Sequence, residues 1–323
     1  MPASVLERRL HFVVGKGGVG KTTVAAALAQ VAVRQGRRTL AVEMEGGRLA
    51  RLLGGGEVAY APRPAAPGLH VMTVEGRAAL EEYLGLVIPV KRLLSSVFAS
   101  KIYQYFVAAA PGLKELMSVG KIWYEATRTE NGQAAWDAIV VDAPATGHGL
   151  QVLRMPEAAR QTFGAGLVQR EATKIMDLLR DPQTTAVHLV TLAEEMPVAE
   201  TLEMHAELRE LGLPLGAAIV NRLHRRRFAR ETLARLEAAR GRPVDERALL
   251  GAVAACAAEE SGWAAINAGH LARLRSALAD LQLVELPFLF VEEFDRAEVE
   301  LLSAQLEAGL AGRAHRASER RQR

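Results

Sequence analysis

The spacing of apolar and polar residues along the chain changes repeatedly between two patterns. Short apolar runs alternate with longer stretches whose apolar residues recur at helical spacing. Runs without polar alternation are typical of strands that are covered on both faces. The predicted strands are residues 10–14, 39–42, 70–74, 139–141, 187–192, 217–220 and 283–286. This pattern predicts an α/β fold with a mostly parallel, doubly wound sheet.

Two stretches interrupt this alternation of strand and helix. Residues of about 77–129 and 157–180 show helical periodicity without a strand, and they predict an α-helical subdomain inserted beside the sheet. Prolines at positions 62, 64 and 67 predict a loop before the third strand. The arginine-rich end, 313–323, predicts a basic flexible tail. We therefore expect one domain over residues 1–312, followed by that tail.

Composition narrows the classes of protein to which the chain can belong. Of the 323 residues, 50% are hydrophobic and 24% are charged, values typical of a globular protein. The formal net charge of +3 gives no reason to expect nucleic-acid binding. Neither a membrane-spanning apolar stretch nor a leader sequence is visible, so we expect a cytoplasmic protein. The single cysteine, Cys256, leaves no cysteine pair for a disulfide, for zinc or for an iron–sulfur cluster.

A glycine-rich segment lies between the first predicted strand and the helical pattern that follows it. It consists of Gly15, Lys16, Gly17, Gly18, Val19, Gly20, Lys21, Thr22 and Thr23. In such a phosphate-binding loop (P loop), glycines let backbone N–H groups approach phosphate oxygens, and Lys21 reaches the β- and γ-phosphates. Thr22 is placed to bind Mg²⁺. The alternative, a tight strand-to-helix turn, needs neither the lysine nor the threonine pair. The segment therefore predicts a nucleotide site on a P-loop NTPase sheet.

A second segment combines an acid at the end of an apolar strand with a loop that contains proline and glycine. Residues 139–141 are followed by Asp142, and the loop continues through residues 143–150. An aspartate in this position can hold Mg²⁺ through water, and Gly147 and Gly149 allow the loop to move with the γ-phosphate. We interpret this segment as a nucleotide-dependent switch.

These two segments resemble one family of P-loop ATPases. Lys16, at the second position of the P loop, and residues 142–156, which include Thr146, Gly147 and His148, are similar to the arsenite-pump ATPase and the Get-pathway targeting ATPase. Resemblance extends over most of residues 10–310. Min and Par ATPases share the broad fold but lack the Thr-Gly-His segment. The related nitrogenase iron protein is excluded, because its cluster needs cysteines from each subunit.

For Lys16 the resemblance implies a role in a dimer. The equivalent lysine of the family crosses the dimer interface and contacts the nucleotide of the partner, where it would compensate charge that develops during hydrolysis. The alternative is that Lys16 is an exposed cation near the phosphates of its own subunit.

This chain departs from the family at the first switch, where relatives carry Asp-Pro-Ala. The segment here is Glu43, Met44, Glu45, Gly46 and Gly47. Counting from Lys21 places Glu45 at the family's aspartate, which positions or activates the attacking water. The resemblance thus assigns catalysis to Lys16, Glu45 and Asp142. The longer side chain of Glu45 moves its carboxylate by roughly 1.5 Å, so hydrolysis is expected to be slow. Alternatively, Glu43 and Glu45 are solvated charges at the end of a strand.

Two other strand ends resemble the adenine site of the family. Asn221 ends a predicted strand, and its amide offers both a donor and an acceptor to the base. Pro287 and Phe288 resemble the loop that closes over adenine. The resemblance therefore favours ATP over GTP.

The resemblance also implies an overall activity and its partners. It implies an Mg²⁺-dependent, ATP-hydrolysing homodimer, or a heterodimer with a paralogue, whose cycle acts on a hydrophobic client helix or a membrane protein. We expect neither arsenite nor zinc binding, because the helical region has no cysteine. Two alternatives are a Par- or Min-like switch that associates with a surface and the energising subunit of a membrane transporter. The apolar stripe over residues 299–310 fits either a helix on a membrane surface or a cover for the sheet.

Overall fold

A computed structural model describes residues 5–44, 46–56, 58–87, 98, 100–101, 112–145, 147–162, 166–239 and 246–321 of the chain. The strands are β1 (Leu10–Gly15), β2 (Thr39–Glu43), β3 (Arg63–Ala66), β4 (Leu69–Thr73), β5 (Thr129–Glu130), β6 (Gln133–Ala134), β7 (Ala138–Asp142), β8 (Thr185–Leu192), β9 (Leu215–Leu223) and β10 (Gln282–Pro287). The helices are α1 (Lys21–Arg34), α2 (Arg48–Leu52), α3 (Gly76–Val87), α4 (Leu113–Thr127), α5 (Gly147–Thr162), α6 (Leu167–Arg180), α7 (Glu195–Glu210), α8 (Arg230–Ala239), α9 (Glu246–Ala277) and α10 (Arg296–Arg321).

The central sheet has eight strands in the order β10-β9-β8-β1-β7-β2-β4-β3. Neighbouring strands are parallel except for β3 and β4. All seven strands that the apolar runs predict are present, and their ends lie within three residues of the predicted ones. The predicted fold class is confirmed. Because β1 lies between β7 and β8, the chain passes from one half of the sheet to the other there. Ligands of such sheets bind at the carboxyl ends of the strands beside this switch point.

Helices cover both faces of the sheet, as the unbroken apolar strands require. On β1, Leu10, Phe12 and Val14 face a core that includes residues of α4, α5, α6, α7 and α9. Val13 faces the opposite core, which includes residues of α1, α2 and α10. In α10 the predicted apolar stripe, from Val299 to Leu310, is buried in that second core. The stripe therefore covers the sheet, which was one of its two predicted roles.

Two parts of the structure differ from the sequence prediction. The loop predicted around the three prolines contains β3, an antiparallel edge strand, because an edge strand tolerates proline where a central strand does not. The last helix extends to Arg321 and includes most of residues 313–323, where we expected no helix, whereas the flexibility of this basic tail stays a prediction. Five of these eleven residues are arginine and two are alanine, and both residue types favour helix.

The inserted helical region is partly described. Helix α3 contacts α4, and α4 buries Leu116, Val119 and Ile122 in the core beneath the sheet. Leu116 and Ile122 belong to the apolar helix positions for which the resemblance to targeting ATPases implies a client groove, and here they pack in the core of the domain itself. Residues 88–97, 99, 102–111 and 163–165 of the predicted subdomain lie outside the described residues. The subdomain boundaries at 77–129 and 157–180 stay a prediction.

Candidate functional site

The P loop joins the end of β1 to the start of α1, and the close approach of neighbouring strands requires glycine at two of its positions. A Cβ atom on Gly15 would lie 2.2 Å from the carbonyl oxygen of Val190 on β8. Gly20 has a φ of 94°, in the left-handed region, and a Cβ there would lie 2.3 Å from Nδ2 of Asn221. Side chains are thus excluded where the backbone must turn tightly.

The start of α1 has the properties of an anion site. Gly20 precedes the helix, and among the described residues no side chain caps its N-terminus. The first N–H groups of a helix lack partners within the helix, and the helix dipole favours negative charge there. Lys21 is buried at this end, and its Nζ donates to the carbonyl oxygen of Lys16 over 3.0 Å. The loop therefore combines a cation with backbone donors, as phosphate binding requires.

Asp142 lies beside the P loop because β7 pairs with β1 and places Asp142 next to Val13. Its side chain is 4% exposed. Burial raises the pKa of Asp142 to about 7, against the opposing effects of a hydrogen bond from Thr22 and the charge of Lys21, and the neighbouring Glu43 raises it further. Within the described part of the chain, Oδ1 of Asp142 has no hydrogen-bond partner.

These groups suit a magnesium ion. The Thr22 hydroxyl and the Asp142 carboxylate form a pair of oxygen donors beside the phosphate loop, and Mg²⁺ prefers oxygen ligands of this kind. The buried oxygen of Asp142 without a hydrogen-bond partner provides the negative charge that a cation would neutralise.

Glu43 has a structural role at the end of β2. Its Oε1 accepts hydrogen bonds from the backbone N–H groups of Gly47 and Arg48, both over 2.7 Å, and of Leu49 over 3.1 Å. The carboxylate thus caps α2. The interpretation of Glu43 as a solvated charge is wrong, because its side chain is 2% exposed. Glu45, the predicted water-positioning residue, and Thr146 of the second switch lie outside the described residues.

Lys16 forms an ion pair that sequence reasoning did not find. Its Nζ donates to Oε1 of Glu200 on α7, and each side chain is about one-third exposed. Since 184 residues separate the two, no local pattern could have indicated the pair.

Asn221 lies at the carboxyl end of β9 and contacts the P loop. Its Nδ2 donates to the carbonyl oxygen of Val19 over 3.0 Å, and its Oδ1 accepts from the backbone N–H of Arg222 over 2.9 Å. The structure therefore brings Asn221 together with Lys16, Lys21, Thr22 and Asp142 at one edge of the sheet.

An aromatic cluster continues this edge beyond Asn221. Phe288, which follows β10, stacks on His224 with ring centroids 4.7 Å apart. Phe290 meets Phe288 edge to face at 4.9 Å, and Trp263 of α9 lies 6.0 Å from His224. Of this cluster the sequence indicated only Phe288 and its neighbour Pro287. His224, Trp263 and Phe290 belong to no motif and meet only because of the fold.

The sequence was compared with known families and proteins. It matches the anion-transporting ATPase family over residues 8–171 and 167–240, which is more than half of the chain. The chain belongs to this family. Membership supports ATPase activity, and an ATPase family implies ATP as the bound nucleotide.

Relatives of the chain include both branches that the motifs suggested. It is 36% identical over 228 residues to the ATPase BagA of Mycobacterium tuberculosis, a match that covers 68% of this chain and 67% of that protein. It is 28% identical over 230 residues to the arsenical pump-driving ATPase of Acidiphilium multivorum, over 65% of this chain and 38% of that protein. It is 25% identical over 272 residues to the ATPase GET3B of Arabidopsis thaliana, over 67% of this chain and 64% of that protein.

In this member of the family the phosphate edge of the sheet adjoins the inserted helices. A cavity of about 320 Å³ is lined by Met44 and Gly46 after β2, by Pro144 after β7, and by Lys114 and Ser118 of α4. Both predicted switch segments therefore contribute to a cavity wall that α4 shares.

None of the helices that the structure describes has the length and apolar character needed to cross a membrane. Among the same residues, no group of three or more His, Cys, Asp and Glu side chains could hold a metal ion. The pair of Thr22 and Asp142 is a different kind of site, because there the phosphates of the nucleotide and water would supply the other ligands.

Proposed function

We propose that this chain is an Mg²⁺-dependent ATPase that hydrolyses ATP as a dimer, and that its nucleotide state is transmitted to the inserted helices. One observation carries the proposal. Lys21 and Thr22 begin α1 directly beside Asp142 at the end of the neighbouring strand, so phosphate-binding and cation-binding groups occupy the same edge of the sheet.

Each group has a distinct chemical task in this proposal. Backbone N–H groups at the start of α1 bind the phosphates, and Lys21 neutralises charge on the β- and γ-phosphate oxygens. Thr22 and Asp142 would hold Mg²⁺, which neutralises phosphate charge when bound. Glu45 positions the attacking water. Lys16 of one subunit contacts the nucleotide of its partner, so that hydrolysis requires two chains.

The adenine end of the site extends from Asn221 towards the aromatic cluster. Because Asn221 touches the P loop and Phe288 follows the strand next to it, a nucleotide with its phosphates on the loop would bring its base to these side chains. Stacking on aromatic rings contributes binding energy for any base, and an amide such as Asn221 distinguishes adenine from guanine.

The cavity beside α4 supports the final element of the proposal. Met44, Gly46 and Pro144 line it together with Lys114 and Ser118, so a movement of either switch changes the environment of α4. We place the output of the ATP cycle on these helices, which act on a hydrophobic client helix or a membrane partner.

Phosphate release from ATP by the purified chain, with Mg²⁺ or with a chelator, tests the proposal. We expect Mg²⁺-dependent turnover whose rate per subunit rises with protein concentration. Lys21→Ala should abolish ATP binding in calorimetry, whereas Lys16→Ala should bind ATP but lose turnover. Lys174→Ala, which removes a surface lysine paired with Glu171, is the matched control and should resemble the wild type. Unchanged ATP affinity of Lys21→Ala would contradict the nucleotide site, and concentration-independent turnover by a chain that is shown to be monomeric would contradict the dimer.

A further inference from the structure

The ion pair between Lys16 and Glu200 links the P loop to α7 of the same chain. Helix α7 follows β8, and β8 pairs with β1, so the P loop and the first turns of α7 emerge at the same edge of the sheet. Lys16 Nζ donates to Glu200 Oε1 there. In this structure, therefore, Lys16 is bound within its own subunit.

The position of Glu200 is set by the packing of α7. Val198 and Thr201, on either side of it, are buried, and the Thr201 hydroxyl donates to the carbonyl oxygen of Pro197 over 2.7 Å. The carboxylate is thus presented by a helix packed on the sheet. Because the helix fixes the backbone of Glu200, formation of the pair costs only the rotamer freedom of the two side chains.

Because both side chains are partly exposed to solvent, the ion pair between Lys16 and Glu200 is weak. The two side chains are 32% and 31% exposed, and ion pairs with this access to water are weak, since solvent screens them. The phosphates of a bound nucleotide carry several negative charges, against one for Glu200. A phosphate group within reach of Lys16 therefore competes successfully for the ammonium.

We propose that Glu200 is a positioning residue that restrains Lys16 in the isolated subunit, and that Lys16 leaves Glu200 when the nucleotide of a second subunit is presented to it. This inference rests on the proposed function, because it requires Lys16 to act across a dimer. Glu200 then sets the balance between monomer and ATP-bound dimer without touching the reacting atoms.

Glu200→Gln tests the restraint, because glutamine retains the shape and the acceptor oxygen but removes the charge. Each lysine that no longer pairs with residue 200 should lower the dissociation constant of the dimer by about two- to five-fold. Since both lysines of a dimer are freed, its dissociation constant should fall by about 4- to 25-fold. Sedimentation velocity with Mg²⁺ and a non-hydrolysable ATP analogue measures this constant. The protein concentration for half-maximal turnover should fall by the same factor, while the plateau turnover stays unchanged.

Two controls separate this effect from a general change in charge or stability. Glu203→Gln makes the same change at an exposed position of α7 and should leave the dissociation constant at the wild-type value. In a Lys16→Ala background, Glu200→Gln should have no effect on dimerisation, because the restrained group is gone.

The possible results separate the restraint of Lys16 by Glu200 from the proposed ATP-dependent dimer. A wild-type chain that stays monomeric with the analogue overturns the proposed dimer and the restraint together. If the wild type dimerises but Glu200→Gln behaves like Glu203→Gln, dimerises more weakly or loses plateau turnover, the restraint alone is overturned. An equal effect of Glu200→Gln with and without Lys16 also overturns it.

Discussion

Glu43 and Asp142 are direct neighbours on the adjacent parallel strands β2 and β7, and both carboxylates are buried. Their environments differ. Oε1 of Glu43 accepts three backbone hydrogen bonds from the start of α2, whereas the Asp142 carboxylate lies against Thr22 beside the P loop. Each carboxylate keeps one buried oxygen, Glu43 Oε2 and Asp142 Oδ1, without a hydrogen-bond partner among the described residues. Glu43 therefore maintains the loop before α2, and Asp142 lies beside the P loop, where a cation would bind.

The first prediction distinguishes a structural role of Glu43 from a catalytic role of Glu45. Glu43→Ala should lower the free energy of unfolding by about 1–3 kcal/mol, because three N–H groups lose their acceptor. Glu45→Gln should leave stability unchanged but lower single-turnover hydrolysis by roughly 10²–10⁴-fold, since a positioned general base contributes about that much. Urea unfolding and rapid-quench measurements on both variants check the two effects.

Glu43→Gln is the matched control for charge, because its amide oxygen still accepts hydrogen bonds from the start of α2. It should hydrolyse ATP much faster than Glu45→Gln. Similar near-wild-type rates in both glutamine variants would show that neither glutamate is the base.

The second prediction is that substitution of Asp142 raises the stability of the protein but lowers its activity. Because burial raises the pKa of this carboxyl from 3.8 to about 7, the folded protein holds the proton more tightly than the unfolded chain. The contribution of Asp142 to the free energy of unfolding therefore falls as pH rises from about 4 to 7. Above pH 7 this contribution stays low. Asp142→Asn should raise the free energy of unfolding at pH 8 by up to about 4 kcal/mol, and the gain should vanish near pH 4.

The same substitution should reduce Mg²⁺-dependent hydrolysis by on the order of 100-fold or more, because the anionic ligand is lost. Urea unfolding at pH 4 and pH 8 and steady-state phosphate release measure the two effects. A variant that is less stable than the wild type at pH 8, or fully active, would contradict this role for Asp142.

The third prediction concerns Asn221, which contacts the P loop in the structure and reads adenine in the proposal. Asn221→Ala should weaken ATP binding by about 10-fold or more, because the carbonyl of Val19 loses its donor and the base loses its partner. Binding of GTP should weaken less, so the preference for ATP over GTP should narrow. Calorimetry with both nucleotides distinguishes the roles: an equal loss for ATP and GTP would mean that Asn221 supports only the loop.

The fourth prediction is a loss of stability in acid that arises from two buried histidines. His11 Nε2 lies 2.9 Å from the carbonyl oxygen of Arg8, which can only accept, so this nitrogen carries the proton. Nδ1 of His11 then accepts from Nε2 of His188 over 3.1 Å. Burial lowers the pKa of His188 to about 3 and that of His11 well below its usual value, with the nearby positive charges adding to the effect.

Because the unfolded chain binds these protons near pH 6.5 and the native protein does not, stability is full above that pH and falls as pH drops towards 3. Each histidine should contribute a slope of about 1.4 kcal/mol per pH unit in this range. His188→Gln keeps a donor for His11, and it should lower the dependence of the free energy of unfolding on pH by the contribution of one histidine. Urea unfolding between pH 5 and 7 measures the free energy of unfolding of both proteins. A wild-type value that does not change over this pH range would contradict the prediction.

The sequence by itself determined the seven principal strands, the order of strand, P loop and helix, and the identity of Lys21, Thr22 and Asp142 as one group. These features depend on neighbouring residues. Apolar runs predict buried strands, glycines permit a tight loop, and parallel strands place their carboxyl ends at one edge. The edge strand β3 was missed because its prolines indicate a loop when its pairing with β4 is unknown.

Only the tertiary structure decided how each charged or aromatic side chain is used. Glu43 caps a helix and is not solvated, Lys16 is paired with Glu200, and His224 stacks on Phe288. Lys16 and Glu200 lie 184 positions apart, and their contact depends on β8 pairing with β1. Periodicity and turn chemistry act over a few residues, whereas such contacts depend on the order of strands in the sheet. The chemistry of the site is therefore visible in the sequence, but the restraints on its side chains arise only when distant strands pair.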